Sequence, residues 1–399
     1  MVKVIPLIIP IDGELTSAYK MTVSNATYIL DEGASITTDS PDALYYQDGV
    51  SNSHLIIKGH VTGGDGNGDT AVNSNPSGCD VKITGTGVVE AGVGVELGFG
   101  NQQLTNHGTI DGSNYGVWLQ SVQQTVSNFG HISGSQNGIS AGGLGDVSVI
   151  NEAGGRITSQ SVAVQFDGSQ DTTSTLTNNG LLKAGWAFFG SYGDDTVTNH
   201  GQMKGSIYMG EGDDTFDNRG GKVDHDVYGQ KGDDTLITDD ANVHLQEDAG
   251  GGTDTVKSTV TYTLTANVEN LILLGNANID GTGTKSANTI TGNHGDNTLT
   301  GMAGSDTLHG GQGNDLLVGG VGKDVFVFAT HDGHDTISDF KAGTDHVDLT
   351  GQNVISDFND LVNNHVSASN GNLVIHMGTD TLTLQHTQVG ELNVNDFSF

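Results

Sequence analysis

A chain of 399 residues with 61 glycines, 4 prolines and one cysteine, Cys79, has many turns to make and no intrachain disulfide to hold them; it is neither collagen-like nor proline-rich. Its 48 acidic residues against 14 basic ones give a formal net charge of −34, and only two arginines occur, Arg156 and Arg219, which argues for no nucleic acid as a partner. Frequent Val, Ile and Thr without a long helical apolar period predict an all-β chain, and no stretch is long and apolar enough to be a transmembrane segment.

The N-terminal run Met1-Val2-Lys3-Val4-Ile5-Pro6-Leu7-Ile8-Ile9-Pro10 has one basic residue, two prolines and no A-x-A site. It makes a poor signal peptide and reads as a first edge strand. Residues 1–54 are expected to form an N-terminal cap, which a solenoid needs to hide its open end.

Over 55–245 an apolar-x-Asn-x-Gly-x-apolar unit recurs. It is clearest as Leu104-Thr105-Asn106-His107-Gly108-Thr109-Ile110 and Val126-Ser127-Asn128-Phe129-Gly130-His131-Ile132. Asn106, Asn128, Asn151, Asn178, Asn199 and Asn218 follow one another at 22, 23, 27, 21 and 19 residues. A variable period of about 20 residues with two or three short strands per turn predicts a right-handed parallel β-helix. Stacked Asn side chains at one corner can satisfy turn backbone groups coil after coil. The pattern loosely resembles the passenger β-helices of bacterial adhesins and autotransporters, a likeness of architecture and not of activity.

A second motif then overlaps the first. Gly193-Asp194-Asp195-Thr196-Val197, Gly212-Asp213-Asp214-Thr215-Phe216, Gly232-Asp233-Asp234-Thr235-Leu236 and Gly252-Thr253-Asp254-Thr255-Val256 share G-x-D-x-apolar. Asp195, Asp214, Asp234 and Asp254 are 19, 20 and 20 residues apart, about one coil. They are expected to form an acidic ladder. Two carboxylates at roughly 5 Å repel by about 3 kcal/mol at an effective dielectric of 20, so such a ladder calls for cations unless its side chains splay into water. Residues 246–282 read as connector strands.

Five nonapeptides follow in register over 283–327, starting at Gly283, Gly292, Gly301, Gly310 and Gly319. The last two, Gly310–Val318 and Gly319–Val327, match G-G-x-G-x-D-x-U-x at every defined position, the Ca²⁺-binding parallel β-roll repeat. Glycines permit the ligand turn, the sixth residue offers a carboxylate to a hard cation, and the eighth points inward from a short strand. Two nonads make one coil, so Asp306 should stack on Asp324, Asn297 on Asp315, and Asn288 beneath Asp306. The sixth residue is Asn at 288 and 297, and the second glycine is replaced at Thr284, Asn293 and Met302, so the better sites are expected toward the C-terminal end. Residues 328–399 are expected to be a C-terminal β-rich cap with one short helix near Phe358–Val362.

The nonads, the strands Asp324-Val325-Phe326-Val327-Phe328 and Asp335-Thr336-Ile337-Ser338-Asp339-Phe340, and the terminal Asp396-Phe397-Ser398-Phe399 resemble the RTX (repeats-in-toxin) family of hemolysin-type calcium-binding proteins. The resemblance covers 250–399 well and 190–249 in part. It implies several bound Ca²⁺ ions, a capping segment that carries an uncleaved signal for the type I secretion machinery, and a secreted, extracellular product of a Gram-negative bacterium. It also implies that Asp306, Asp315 and Asp324 are ligands, with the turn backbones of Gly311, Gly313, Gly320 and Gly322 supplying carbonyl oxygens. Gly301, Gly304 and Asn297 complete the candidate metal set in the roll, beside Asp195, Asp214, Asp234 and Asp254.

Candidate catalytic residues are few. His331-Asp332-Gly333-His334 lacks the Glu and the helix of H-E-x-x-H, and Gly138-Ile139-Ser140-Ala141-Gly142 lacks the strand-turn-helix context of a serine-hydrolase elbow. The enzyme alternative is a polysaccharide lyase or epimerase on the β-helix. It would need basic residues to neutralise a uronate, and Arg156, Lys183, Lys204 and Arg219 are the ones available in the middle coils. The sequence favours a secreted, non-catalytic calcium-binding solenoid, an adhesin or matrix-interaction protein with a glycan or cell-surface ligand. Tyr115, Trp118, Trp186 and Phe188 are its candidate exposed aromatics.

Overall fold

A computed structural model describes residues 7–66, 68–75, 78–121, 123–142, 145–170 and 172–399. The chain divides into two compact units, 1–231 and 232–399. The all-β reading holds: parallel strands dominate, and one α-helix, Phe358–Asn364, is found among the described residues.

The first unit is a parallel β-solenoid. A coil is built of short strands such as Gln124–Asn128, His131–Gly134 and Asn137–Ala141, and each strand pairs in register with its counterpart one coil on. Side chains alternate in and out along a strand, so in-register stacking turns the alternation into columns. One inward column runs Leu55, Val81, Leu104, Val126, Val149, Leu176, Val197, Phe216, all buried. A second runs Val61, Val89, Ile110, Ile132, Ile157, Leu182, Met203. A third runs Val72, Val95, Val117, Ile139, Val164, Phe188, Ile207, Val227. The three columns are the core.

The asparagines behave as their spacing predicts. Asn106 Nδ2 donates to Asn128 Oδ1 at 2.9 Å, Asn128 to Asn151 at 2.8 Å, Asn151 to Asn178 at 2.8 Å, Asn178 to Asn199 at 2.7 Å and Asn199 to Asn218 at 2.7 Å. All six are fully buried. The amide also closes its own turn: Asn106 Oδ1 accepts from Gly108 N at 3.0 Å, and Asn128 Nδ2 donates to Gly130 O at 3.2 Å.

Residues 7–54, set apart in the sequence as a cap, carry coil strands of the same kind. Leu7–Ile11 pairs with Ala26–Leu30, which pairs with His54–Ile57. The Asn anchor is missing there, but the inward alternation Tyr28, Leu30 and Ile36, Leu44 is enough to place the strands. Residues 1–6 of the expected edge strand lie outside the described residues. Phe188 is in the core, stacked between Val164 and Ile207, and its neighbour Phe189 faces out. Trp186 faces out and Phe188 in, although they are two residues apart, because register shifts on either side of Trp186 break the alternation.

The second unit has two-strand coils after its first turns. Asn270–Leu273, Thr289–Thr291, Thr307–His309, Val325–Ala329 and His346–Gly351 stack as one sheet. Gly281–Thr282, Thr298–Thr300, Leu316–Val318 and His334–Ile337 stack as the other. Ile290, Leu308 and Phe326 face Leu299, Leu317 and Ile337 across the core, all fully buried. The eighth residues of successive nonads therefore alternate between sheets, and the repeat is 18 residues. The stretch 246–282, read as connector, is part of this stacking: Thr235–Thr238 pairs with Thr255–Ser258, and that with Asn270–Leu273. At the far end Phe397–Ser398 pairs with the sheet at Val347, and the hairpin of Asn372–Met377 and Asp380–Leu384 pairs with His334–Ile337. The helix starts at N-cap Asp357, whose side chain accepts from Asp360 N at 2.9 Å.

Candidate metal centre

Each nonad spends its first half on a turn that must leave the right-handed region. Gly304 has φ +120° and Gly313 φ +129°, which L side chains rarely adopt. A Cβ on Gly313 would stand 2.6 Å from the carbonyl oxygen of Gly295, one coil earlier. The first glycine serves another purpose. A Cβ at Gly301, Gly310 or Gly319 would overlap Oδ2 of Asp306, Asp315 or Asp324, so each nonad opens with a glycine to make room for its own carboxylate. Met302 stands where the second glycine is missing and takes φ +83°, holding the turn at a conformational cost.

The sixth residues form a hydrogen-bonded ladder. Asn288 N donates to Asp306 Oδ1 at 2.8 Å, Asp306 N to Asp324 Oδ1 at 3.0 Å, and Asp324 N to Asp345 Oδ1 at 3.2 Å. On the other edge Asn297 N donates to Asp315 Oδ1 at 2.7 Å and Asp315 N to Asp335 Oδ1 at 2.8 Å. Asp306, Asp315 and Asp324 are 0, 2 and 1 % exposed, so these carboxylates do not splay into water. One oxygen of each is used in the ladder. The other, Oδ2, is buried and accepts no hydrogen bond, and the same is true of Asp254.

Burial pushes these acids up. Asp306 and Asp254 rise to about 6, Asp315 to about 7 and Asp335 to about 8, with neighbouring carboxylates adding to the effect and the ladder hydrogen bond opposing it. Asp324 and Asp345 move in the same direction for the same reason. An acid held above its ordinary range by desolvation, with one oxygen unsatisfied, is poised to accept either a proton or a cation.

Asn297 has a different job from the one expected. Its Oδ1 accepts from Asn293 N at 2.8 Å, and its Nδ2 donates to Ile279 O at 2.6 Å and Asn293 Oδ1 at 3.1 Å. Asn288 repeats the arrangement, with Oδ1 accepting from Thr284 N at 2.6 Å and Nδ2 donating to Val268 O at 2.8 Å. In these two nonads an amide nitrogen donates to backbone oxygens of the preceding turn, where an aspartate would need a cation to bridge the same oxygens. Asn297 therefore leaves the candidate ligand set.

Four acids that the nonad pattern did not single out join it. Asp335 and Asp345 carry the two ladders past the last nonad, in Gly333-His334-Asp335-Thr336-Ile337 and Gly343-Thr344-Asp345-His346-Val347, the G-x-D-x-apolar half of the repeat. Glu269 Oε2 accepts from Asp254 N at 2.9 Å, filling the ladder position in a coil that has no aspartate there. Glu247 brings a carboxylate oxygen to Asp234 and Asp254, with one ligand atom of each within 4.8 Å of the others. Nothing in the sequence around Glu247 marks it; only the solenoid winding delivers it. Asp234 N also donates to Asp254 Oδ1 at 2.9 Å. In the first unit Asp195 N donates to Asp214 Oδ1 at 2.6 Å, while Asp195 Oδ2 accepts from Ser191 N at 2.7 Å. Burial pushes Asp195 up to about 7, and its Oδ1 accepts no hydrogen bond.

The other candidates are placed away from chemistry. His331 lies in a turn at φ +75°, its N–H donating to Asp380 at 2.7 Å, and His334 Nδ1 is 3.0 Å from Thr381 Oγ1. Ser140 is a strand residue stacked between Trp118 and Gln165, without an elbow.

Residues 282–308 and 291–326 match the family model of the RTX calcium-binding nonapeptide repeat. The chain carries RTX calcium-binding repeats. Calcium is their cofactor, and the donor set fits it: a hard cation takes six to eight oxygens, and the RTX turns present orphaned carboxylate oxygens beside stacked backbone carbonyls. Asp306, Asp315 and Asp324 would hold it, with Asp335, Asp345 and the turn carbonyls around Gly304, Gly313 and Gly322 next to them. No curated protein matches the chain. Among solved structures, the extracellular lipase LipA from Serratia marcescens aligns at 18 % identity with a TM-score of 0.29, over 57 % of this chain and 40 % of that one. The chain thus spans less than half the length of that lipase. No helix is long and apolar enough to cross a membrane.

Proposed function

We propose that the protein is a secreted, non-catalytic calcium-binding solenoid, exported by a type I route, that completes its fold on meeting extracellular calcium and then serves as an adhesin or matrix-interaction protein. The observation that carries this reading is the set of buried carboxylates with an unpartnered Oδ2 at Asp254, Asp306, Asp315 and Asp324. Ionised and metal-free, they oppose the fold, because desolvated like charges are stacked one coil apart. Bound calcium supplies the missing positive charge and links carboxylate to carbonyl oxygens. Extracellular modules work at roughly 10⁻⁴–10⁻³ M calcium, and binding free energy then becomes folding free energy. The chain's own part is to keep water from the carboxylates and to hold the turn carbonyls beside them.

The test is circular dichroism and thermal unfolding of the full chain in chelator and in millimolar calcium. The expected result is a gain of β signal and a large rise in Tm on adding calcium. A β spectrum and a Tm indifferent to chelator would sink the reading. A second reading, a polysaccharide lyase or epimerase, draws on His131. It neighbours Arg156, its Nε2 is 3.0 Å from Thr158 Oγ1, and burial and Arg156 hold its pKa below the ordinary imidazole value, as a general base requires. Release of unsaturated ends from a polyuronate would favour that reading over the non-catalytic one.

A further inference from the structure

Cations are scarce in this chain. Lys58 holds Asp31 at 2.9 Å, Arg219 holds Asp217 at 2.6 Å and Lys231 holds Glu211 at 2.6 Å. Of the cations outside these pairs, four gather on one face. Among the described residues no ion pair or hydrogen bond engages the side chains of Arg156, Lys183, Lys204 or Lys222, and all four are exposed. In sequence they are far apart, but the solenoid stacks them. His131 pairs with Arg156, Thr158 with Lys183, Lys183 with Lys204, and Gln202 with Lys222. They occupy two adjacent outward columns of one sheet, on successive coils about 4.8 Å apart.

The face is concave. A groove of about 570 Å³ is lined by His131, Ser133, Arg156, Thr158, Gln160 and Lys183, and a second of about 470 Å³ runs on past Arg156 to His200, Gln202 and Lys222. Arg156 lines both. The acidic group in the first groove is Asp111, at the end away from Lys183. Asp224 stands at the other end, where it accepts from Gly205 N at 2.8 Å and contacts His225 at 2.7 Å.

An independent feature lies round the corner on the same strands. The strand of Lys183 continues into Trp186 and Phe189, and that of Lys204 into Tyr208. Trp186 is 36 % exposed and sits 6.0 Å, edge-on, from both Phe189 and Tyr208, which stack on each other at 4.6 Å; Tyr228 is 6.5 Å from Trp186. A ribbon of aromatic rings on a water-facing sheet has no core to fill. Its flat apolar faces match the C–H face of a sugar ring, while hydroxyls and amides nearby match the ring's edge.

We propose that this face of the first unit binds an acidic polysaccharide lengthwise across the coils, with Arg156, Lys183, Lys204 and Lys222 taking its carboxylates or sulfates and Trp186, Phe189 and Tyr208 taking ring faces. The proposal rests on the binding-protein reading above and names its ligand class. An extended polymer fits because the cations recur coil by coil and not around one pocket. Arg156, at the junction of the grooves, can hold a carboxylate with two parallel hydrogen bonds. A nucleic acid fits less well: its dense phosphate charge would meet four cations in the field of a chain of net charge −34.

The full chain in saturating calcium is passed over immobilised hyaluronan, with heparin as the sulfate-bearing probe, neutral dextran as the uncharged one and single-stranded DNA as the non-glycan polyanion. Hyaluronan or heparin should bind, dextran should not, and added salt should weaken binding. The R156Q/K183Q/K204Q variant should lose at least about tenfold in affinity, as removal of charge-assisted contacts predicts. W186A should also weaken binding, with circular dichroism unchanged in both. A folded chain that binds neither acidic glycan, that binds DNA more tightly than either, or whose triple variant binds undiminished overturns the proposal. Circular dichroism on the same samples with chelator separates the two ideas: a fold and a glycan affinity both indifferent to chelator would remove the calcium reading and leave the groove.

Discussion

Met302 and Asn297 show how single positions in a repeat can keep the backbone and change the chemistry. Met302 holds a glycine's conformation at φ +83° with its side chain half in water. Met302→Gly should stabilise the calcium-loaded chain by about 1 kcal/mol, the left-handed strain less glycine's entropy, read as a rise in Tm. Asn297 satisfies Ile279 O and Asn293 Oδ1 through its amide. Asn297→Asp should remove both hydrogen bonds and set a carboxylate against those oxygens, lowering metal-free stability by about 2–3 kcal/mol. In calcium the same variant should bind one more ion, which calorimetric titration would count. An unchanged stoichiometry would show that the turn around Asn293 cannot supply the remaining oxygens.

At the scale of elements, the columns and ladders decide the fold, and they were legible to different degrees. The Asn ladder and the nonads announce themselves because one side chain recurs in one local frame; their spacing gave the coil length and the stacking of Asp306 on Asp324 directly. The coils over 7–54 and 246–282 were harder to see, since their inward residues are ordinary apolar ones and their turns vary. Glu247 beside Asp234 and Asp254, and Arg156, Lys183 and Lys204 gathered on one face, were not legible as assemblies for another reason: residues 7 to 27 apart become neighbours only once the winding is known. Phe188 was misplaced because a register shift breaks the two-residue alternation. The Asn ladder itself should be costly to break. Asn151→Ala removes the hydrogen bonds from Asn128 Nδ2 and to Asn178 Oδ1 in a water-free corner and opens a small void, while Gly130 O and Gly180 N remain as partners of those two atoms, so a loss of about 2 kcal/mol is expected in chemical denaturation.

For the molecule as a whole, protons and calcium compete for the same oxygens. Asp195, Asp254, Asp306, Asp315 and Asp335 hold their protons up to about pH 6–8 in the folded chain but release them near pH 4 when unfolded. The folded, metal-free chain therefore binds more protons than the unfolded one across this window. Its stability from these groups is full below about pH 4 and is lost as pH rises through 6–8. Calcium requires the carboxylates ionised, so its grip strengthens over the same interval. Thermal melts from pH 5 to 8 should show Tm falling with pH in chelator, and the gain from calcium growing with pH. Parallel curves would mean that the carboxylates titrate like exposed ones.

The acidic ladder of the second unit also has a direction. Every rung is an amide of an earlier coil reaching a carboxylate of a later one: 288 to 306, 306 to 324, 324 to 345, 297 to 315, 315 to 335. Paring coils from the N-terminal side leaves an oxygen without its donor, a loss that a proton, an ion or water can make good. Paring from the C-terminal side leaves a buried N–H with nothing to accept it, which none of these can repair as cheaply. The structure is thus asymmetric toward growth: each new coil added on the N-terminal side finds its acceptor already in place, as a zip closes from one end.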